Sequence, residues 1–473
     1  MKKIFLLGMV AGLLASCQSK TDGYTIEGTL TGDAASGKAY LERSVYLSDP
    51  VVVDSTVVQN GSFTFSGKVE RPGLYYVIID LNKPGEEPDY HNKMFRTMLY
   101  LENSDITYKG DVATLPGVYY ASERESKSPE ITGSSVHDLF VTMNKEIQVY
   151  SDTLNTLMER YADEYLVPES EGKDVSAVGM EIAREEMKWK DKLLQYQLDF
   201  IKKHADSPVA MDQAMYYLSG MEFLPDVKEI DQMQALFEKH WAGTAELEHF
   251  TTAASAARPL AVGQKYKDID VLDRNGKTVK LSSMIPENEY VMLEFWASWC
   301  GPCRGEIPHL RKIHDKYKDF AIVSISLDEK ESEWQKAMKE ENMSWTQGRI
   351  EGGIYGAGAK EYNIQAIPMC LILDKEGRFY KTNMRGAYLD VFLDDLYKRN
   401  ISKDDNLRCK ECLLNTFVDI SFTEGCTYSY KEDIYKYLRS IYEINLDSED
   451  FDNILSSLVQ EKSIIKDGSR YYL

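Results

Sequence analysis

Cys300 and Cys303 are separated by only two residues, Gly301 and Pro302. Two thiols at this spacing lie one helical turn apart, close enough to form and break a disulfide. The alternative use of such a pair is zinc coordination. A zinc site normally has four ligands, however, and the sequence has no other paired Cys or His nearby. The pair therefore predicts redox chemistry and no metal.

The segments on either side of the pair predict a strand, a turn and then a helix. Val291 to Trp296 is a near-continuous apolar run, typical of a buried central strand, and Arg304 to Tyr317 has helical periodicity. We expect Cys300 at the helix N-terminus, where unpaired N–H groups and the helix dipole stabilise a thiolate. Such positions lower a cysteine pKa from about 8.5 toward neutrality. Cys300 is therefore the predicted nucleophile and Cys303 the predicted resolving thiol.

The sequence around the pair is Phe295-Trp-Ala-Ser-Trp-Cys-Gly-Pro-Cys-Arg-Gly-Glu-Ile-Pro308. This segment resembles the TlpA and ResA branch of the thioredoxin superfamily, which carries a Glu and a Pro just after the second cysteine. The likeness continues in Val262-Gly263, Asp273 to Lys277, Ile322 to Asp328, Ile364 to Pro368 and Leu371 to Asp374. It implies an α/β thioredoxin-like fold over 260–400, with a central mixed sheet flanked by helices. It also implies a protein-disulfide reductase that needs no cofactor beyond its redox-active disulfide.

The resemblance also supplies residues that would contact a substrate. Pro368 matches the family's cis-proline, which faces the dithiol and offers backbone groups to an extended polypeptide. Ile367, just before it, faces the dithiol as well. Trp299, Gly301 and Pro302 border or separate the two cysteines, and they complete the predicted substrate-binding set.

Two acidic residues near the dithiol have competing interpretations. Glu294 falls where thioredoxins hold a buried acid beneath the second cysteine, so it is a candidate proton acceptor when Cys303 attacks. The alternative is a partly solvated strand residue, since buried carboxylates are rare. Glu306 is either catalytic or an acid of the first helical turn that favours the dipole. His309 and His314 are five apart and do not share a helix face, which argues against a metal pair.

The N-terminus has the pattern of an export signal. Lys2 and Lys3 precede the apolar run Ile4 to Leu14, which is too short to span a bilayer. The run ends in Leu14-Ala-Ser-Cys17, which resembles the lipobox of bacterial lipoproteins. This implies a signal peptide over 1–16 and a lipidated Cys17, and hence a periplasm-facing protein anchored in the bacterial cell envelope. The alternative is an ordinary signal peptide with an incidental cysteine.

The overall composition excludes some partners. The sequence has 55 Lys and Arg residues and 76 Asp and Glu residues, a net charge of −21. This charge argues against nucleic acid and anionic membrane surfaces as binding partners. No later segment reaches transmembrane length, so acyl chains are the only predicted membrane contact. Seven cysteines in 473 residues are too few for a disulfide framework. Cys370, on the strand predicted after Pro368, is expected to be a buried core thiol.

Short alternating runs fill the segment 24–110 and predict a β-rich N-terminal domain. Asn60-Gly61 and Pro72-Gly73 are turn signals between these runs. The stretch Val53 to Phe65 resembles the uncharacterised β-rich domain that precedes thioredoxin modules in many envelope lipoproteins. This likeness implies no chemistry for the domain.

A helical region is predicted over 134–250. Apolar residues at helical spacing, as in Met180 to Leu194, indicate amphipathic helices whose Met and Tyr side chains form a core. The Ala- and Thr-rich stretch Thr251 to Ala257, followed by Pro259, predicts a linker into the redox domain.

The C-terminal extension 401–473 departs from the family pattern. It contains Cys409, Cys412 and Cys426, and its first two cysteines lack the Trp and Pro context of the main pair. This context favours a structural disulfide or free thiols over a second redox centre. Two helical stretches and a strand–turn–strand follow: Lys431 to Tyr442, Asp447 to Gln460 and Ile464 to Leu473. Their order resembles a small winged-helix unit, for which a protein-contact role is favoured over DNA binding.

Two functions of different classes fit the whole sequence. The favoured one is an enzyme that reduces or exchanges disulfides of envelope proteins, for example in cytochrome maturation, with electrons from a membrane-embedded thiol donor. The alternative is a binding or scaffold lipoprotein with a vestigial dithiol. The intact Trp299 to Cys303 motif together with Pro368 favours the enzyme. A peroxidase is disfavoured, because Ala297-Ser-Trp299 replaces the Thr and Pro that precede a peroxidatic cysteine.

Overall fold

The computed structural model describes residues 22–44, 49–83, 85–119, 125–220 and 223–397, with parts of 414–472. By internal contacts the chain forms two compact units, Met1–Asn383 and Met384–Leu473. The five predicted domain ranges stay predictions. The predictions for residues 1–16, Cys17, Cys409, Cys412 and Cys426 lie outside the described residues.

The first unit begins with an eight-stranded sheet. Its strands are β1 Tyr24–Thr31, β2 Ser36–Arg43, β3 Val51–Gln59, β4 Ser62–Gly67, β5 Gly73–Asp80, β6 Met94–Leu101, β7 Asp105–Asp111 and β8 Glu130–Thr132. Their order in the sheet is β6-β5-β2-β3-β4-β1-β7-β8, and only the β1–β7 pair is parallel. Alternate residues of β1 are buried and exposed, because successive side chains point to opposite faces. The predicted β-rich domain is confirmed.

The turn between β3 and β4 follows the sequence signal. Asn60 and Gly61 both have positive φ, 50° and 74°, as a two-residue type I′ hairpin turn requires. The predicted Asn-Gly turn is confirmed.

Among the residues that the structure describes, six α-helices follow the sheet. They are α1 Ser135–Tyr161, α2 Val167–Ser170, α3 Ser176–Lys203, α4 Pro208–Leu218, α5 Val227–Trp241 and α6 Ala245–Ala257. The Ser134 side chain accepts a hydrogen bond from the His137 N–H and caps α1. Ile230, Met233 and Phe237 recur at helical spacing on α5 and are fully buried. The predicted helical region is confirmed.

The predicted linker at Thr251 to Ala257 is wrong, because these residues form the C-terminal half of α6. Thr244 caps the helix by accepting the Leu247 N–H at 3.2 Å, and Phe250 and Ala254 are buried in the helical core. Alanine is the strongest helix former, so the Ala-rich composition favours helix once one face has a core to pack against.

A partly buried hydrogen bond joins the sheet to the helices. Tyr100 of β6 is 2% exposed, and its hydroxyl donates to Asp212 Oδ2 of α4 at 2.7 Å. Burial, with a smaller contribution from the charge of Glu246, raises the pKa of Asp212 to about 6, although the Tyr100 hydrogen bond opposes the rise. The ionised carboxylate is therefore destabilising at this junction.

Asp212→Asn should stabilise the full chain at alkaline pH. The pKa of Asp212 is about 6 in the folded chain and 3.8 in the unfolded chain. Protonation of Asp212 therefore favours folding; this contribution is complete below pH 3.8 and is lost as pH rises through 6. The variant should gain up to about 3 kcal/mol at pH 8 and less than about 1 kcal/mol at pH 4. Unfolding midpoints at the two pH values measure this. The exposed control Asp199→Asn should show no such difference, and equal gains at both pH values would contradict the assignment.

The second sheet of this unit is mixed. Its seven strands are β9 Asp270–Leu272, β10 Thr278–Lys280, β11 Tyr290–Trp296, β12 Phe320–Ser326, β13 Thr346–Arg349, β14 Met369–Asp374 and β15 Phe379–Thr382. Their order is β10-β9-β13-β12-β11-β14-β15. The central strands β11, β12 and β13 are parallel, and β14 is antiparallel to β11. β11 is almost entirely buried, as its apolar run predicts.

Three helices accompany this sheet: α7 Gly301–Lys316, α8 Glu331–Glu340 and α9 Ala357–Glu361. α7 follows β11 directly and buries Cys303, Ile307, Leu310 and Ile313 along one face. The mixed sheet with its helices confirms the predicted α/β thioredoxin-like fold.

The second unit is small and of the α+β type. It contains a helix over 387–397 (α10), a helix over Ser448–Gln460 (α11) and the strands β16 Ser429–Tyr430, β17 Ile465–Asp467 and β18 Arg470–Tyr472. The strands form an antiparallel sheet in the order β16-β18-β17. Phe451, Leu455 and Leu458 of α11 are buried in its core. The last predicted helix and the two strands of the final strand–turn–strand are confirmed.

Candidate active site

Cys300 and Cys303 lie where β11 passes into α7. Cys300 is the N-cap of α7, and its Sγ accepts the backbone N–H of Cys303 at 3.2 Å. The two residues form a disulfide, with an S–S distance of 2.03 Å and a Cα–Cα distance of 5.3 Å. The strand–turn–helix arrangement predicted around the pair is confirmed. It aims backbone N–H groups and the positive end of the helix dipole at the sulfur of Cys300.

The two cysteines differ in accessibility. Cys300 is 5% exposed, whereas Cys303 is completely buried on the inner face of α7. Gly301 and Pro302 form the exposed first turn between them, and a Cβ at Gly301 would meet no atom within 4 Å. Trp299 is 59% exposed beside the pair. Of the two cysteines, only Cys300 keeps any exposed surface, which agrees with its predicted role as nucleophile.

Asp328 fixes the loop that leads into the dithiol. Its buried carboxylate accepts the backbone N–H of Ser298 at 2.9 Å and also accepts the Ser298 hydroxyl. Ser326 donates a further hydrogen bond to it, at 2.7 Å. The sequence-based prediction of site residues missed Asp328. An acid directly after a buried parallel strand was the available signal, since functional side chains collect at the carboxyl ends of such strands.

The segment before β14 brings Pro368 to the same edge of the sheet as Cys300. The Ile367–Pro368 peptide bond is cis, as the family resemblance implies. β14 runs antiparallel to β11 with Met369 opposite Phe295, so Pro368 lies next to the end of β11 that leads into the dithiol. Ile367 and Pro368 are both partly exposed. Their predicted role in substrate binding stays a prediction.

Glu294 is a buried acid on β11, only 2% exposed. Ser324 of β12 lies opposite it and donates its hydroxyl hydrogen bond to Glu294 Oε2. The alternative interpretation, a partly solvated strand residue, is therefore wrong. The role of Glu294 as proton acceptor stays a prediction.

Glu306 lies in the second turn of α7, because the helix begins at Gly301. The interpretation of Glu306 as a first-turn acid is wrong. Its carboxylate Oε1 lies 3.0 Å from Nδ1 of His309, and both side chains are largely buried. A catalytic role for Glu306 stays a prediction.

Cys370 is completely buried on β14, directly opposite Glu294 of β11. The prediction of a core thiol is confirmed. Within the described part of the chain, no group of three His, Cys, Asp or Glu side chains is arranged to hold a metal ion. None of the described helices is both long enough and apolar enough to cross a bilayer.

Comparison with protein families identifies two regions. Residues 24–140 match a domain of unknown function, DUF4369, and residues 288–379 match the Thioredoxin-like family. The first match coincides with the N-terminal sheet and the start of α1. The second begins just before β11 and contains Cys300 and Cys303.

Curated relatives match about a third of the chain. ResA of Bacillus cereus, named a thiol-disulfide oxidoreductase, is 26% identical over 147 residues, which are 31% of this chain and 82% of the relative. ResA of Bacillus thuringiensis is 26% identical over 142 residues, 30% of this chain and 79% of the relative. A solved thiol-disulfide oxidoreductase from Bacteroides fragilis is 30% identical and covers 28% of this chain and 99% of its own, with a TM-score of 0.26. The resemblance stated from the sequence is confirmed.

Proposed function

Because the chain carries a thioredoxin-like domain whose relatives are named thiol-disulfide oxidoreductases, we propose that it reduces or exchanges disulfides of envelope proteins with the Cys300–Cys303 pair. One observation carries this proposal: the two cysteines form a disulfide at the N-terminus of α7, with Cys300 as its N-cap. A vestigial site has no physical reason to retain this arrangement.

The reaction begins when the Cys300 thiolate attacks one sulfur of a target disulfide. A Cys300–substrate disulfide forms, the target S–S bond breaks, and the first substrate thiolate leaves and takes up a proton. The N–H of Cys303, 3.2 Å from the Cys300 sulfur in the oxidised protein, and the helix dipole stabilise the attacking thiolate. This stabilisation is available before the substrate binds.

Cys303 completes the reaction. Its thiol loses a proton to Glu294, and the thiolate attacks the Cys300 sulfur of the mixed disulfide. The Cys300–Cys303 disulfide forms and the second substrate thiolate leaves. Two electrons and two protons have then passed to the substrate, and a dithiol donor must reduce the pair again. Burial of Cys303 protects it from solvent oxidants until this step.

The surface around Cys300 would recognise an extended polypeptide. Trp299 offers an exposed aromatic face, and the open turn at Gly301 and Pro302 lets a chain approach closely. Backbone groups at Ile367 and Pro368 would hydrogen-bond to the segment that contains the target disulfide.

The N-terminal sequence supports a proposal for the location, and the chemistry of the dithiol supports a proposal for the electron donor. We place the protein in the bacterial cell envelope, anchored through acyl chains on Cys17 and facing the periplasm. The dithiol would receive electrons from a membrane-embedded thiol carrier. Cytochrome maturation is one process that such a reductant could serve.

The dithiol is expected to be a reductant, with a potential near −270 mV, about that of thioredoxin. Gly301-Pro302 matches thioredoxin's dipeptide, and Ile367 has no side-chain donor to stabilise a thiolate. Strongly oxidising dithiol proteins have potentials of about −120 mV, which differs from that of thioredoxin by roughly 7 kcal/mol. Ile367→Thr, which adds a donor, should raise the potential by about 20 mV, whereas Ile367→Val should not.

Two measurements on the full chain test this proposal. The reduced protein should reduce insulin disulfides, and its equilibrium with glutathione should give the predicted potential. Absence of insulin reduction would support the binding or scaffold function instead. A potential near that of the strong oxidants would make the protein a disulfide donor.

A further inference from the structure

A hydrogen-bonded series of three buried side chains crosses the sheet to Glu294, the acid of β11. Trp345, just before β13, donates its indole N–H to Ser324 Oγ at 2.8 Å, and Ser324 donates to Glu294 Oε2. Trp345 is 4% exposed, Glu294 is 2% exposed and Ser324 is completely buried. Water does not compete for these hydrogen bonds.

This series lies on the sheet face that α7 covers. The ring of Trp345 packs against His314 of α7, with ring centroids 5.7 Å apart. Trp345, Ser324 and Glu294 are linked by hydrogen bonds on that same face. Cys303 occupies the first turn of α7 and is buried against the sheet. The titratable groups of the elements packed on this side are Cys303 and His314 of α7, and Cys370 of β14, which is paired with Glu294 in the strand register.

The hydrogen bonds of this series are donated in one direction, from Trp345 to Ser324 to Glu294. An indole N–H can only donate, so the Ser324 oxygen is its acceptor. An ionised carboxylate can only accept, so the Ser324 proton points to Glu294. Both hydrogen bonds are therefore satisfied when Glu294 is ionised, and a bond donated to a carboxylate favours its charged form.

Strand β12 supports a specific role for the hydroxyl. In its sequence Phe-Ala-Ile-Val-Ser-Ile-Ser, only Ser324 and Ser326 are polar. Each donates to a carboxylate, Ser324 to Glu294 and Ser326 to Asp328. A buried hydroxyl destabilises the fold unless it is hydrogen-bonded, so the presence of each serine on this strand is accounted for by the carboxylate that it binds.

We propose that Ser324 and Trp345 are positioning residues that hold Glu294 as an ionised proton acceptor for Cys303, a role that rests on the proposed function above. The Cys303 S–H bond breaks and its proton passes to a Glu294 oxygen. The Cys303 sulfur then bonds to the Cys300 sulfur, the mixed disulfide breaks, and the substrate thiolate leaves. Glu294 returns its proton to solvent before the next cycle.

The attack by Cys303 can be isolated with a small aromatic disulfide. Reduced full chain and dithiobis(nitrobenzoate) release one thionitrobenzoate when Cys300 reacts, and a second when Cys303 resolves the mixed disulfide. The rate of the second release, measured from pH 5 to pH 9, reports on this step. Ser324→Ala should raise the apparent pKa of this rate profile by about one pH unit, because the ionised Glu294 carboxylate loses a hydrogen bond.

Three further variants separate this role from packing. Ser324→Thr, which keeps the hydroxyl, should restore the wild-type profile. Trp345→Phe should shift the profile in the same direction by less. Trp334→Phe is its matched control, because the buried Trp334 indole N–H has no hydrogen-bond partner among the described residues, and it should cause no shift.

A double variant decides the assignment. In Glu294→Gln, Ser324→Ala should cause no additional shift, because no titrating acid remains for it to act on. The proposal is overturned if folded Trp345→Phe and Ser324→Ala keep the wild-type profile, or if the shift persists in the Glu294→Gln background. A wild-type chain that never releases the second thionitrobenzoate would instead contradict the proposed function.

Discussion

Cys300→Ser should reduce the rate of insulin-disulfide reduction to below about 1% of wild type, because a serine hydroxyl does not ionise near neutral pH and cannot replace the thiolate. Cys303 cannot take over the first attack, since it is completely buried on the inner face of α7. The turbidity that follows insulin reduction, with dithiothreitol as electron donor, measures the loss.

Cys303→Ser should fail differently. Its Cys300 is still the N-cap of α7 and still attacks, but no thiol then resolves the mixed disulfide. The variant should accumulate as a covalent complex with its target, visible on a non-reducing gel and released by a reductant. Trapping in cells would also identify the physiological substrates.

The control for both variants is the second cysteine pair. Cys409→Ser/Cys412→Ser should keep wild-type insulin reduction, because that pair lacks the flanking Trp and internal Pro of the main motif. The assignment of roles is wrong if Cys300→Ser keeps most of its activity, or if Cys300→Ser traps substrates and Cys303→Ser does not.

Cys17→Ala should move the protein from the membrane fraction to the soluble fraction. Each buried methylene of an acyl chain contributes about 0.8 kcal/mol, so two chains anchor stably, whereas one binds only marginally. Replacing the lipidated residue removes all of this energy at once. Fractionation of cells that express the full chain, with immunodetection, measures the change.

The matched control for the anchor is Cys426→Ala, which should stay in the membrane fraction. Metabolic labelling with a fatty acid should mark the wild type and this control but not Cys17→Ala. Label that persists in Cys17→Ala would contradict lipidation at this position.

The sequence alone was sufficient to locate the cysteine pair and the strand–turn–helix around it, whereas the roles of the two thiols stay predictions. The pattern that locates the pair is local: an apolar strand, a short turn and a helical period place Cys300 at the N-cap and Cys303 one turn later. Local chain geometry also accounts for the Asn60-Gly61 hairpin and the alternating strands of the first sheet. These features depend on residues that are close in sequence, so their spacing can be interpreted directly.

The tertiary structure decided the surroundings of the pair. The burial of Glu294 and its contact with Ser324 depend on which residues of β11 and β12 are paired. A shift of one residue in either strand would turn that strand's side chain to the other face and separate the two groups. Asp328 accepts a hydrogen bond from Ser298 across 30 residues of sequence, and its position at the end of a strand does not specify this partner. The Ala-rich end of α6 became helical because a core was available, not because its composition required it. Register and packing are set by long-range burial, and the sequence contains them only through the complete fold.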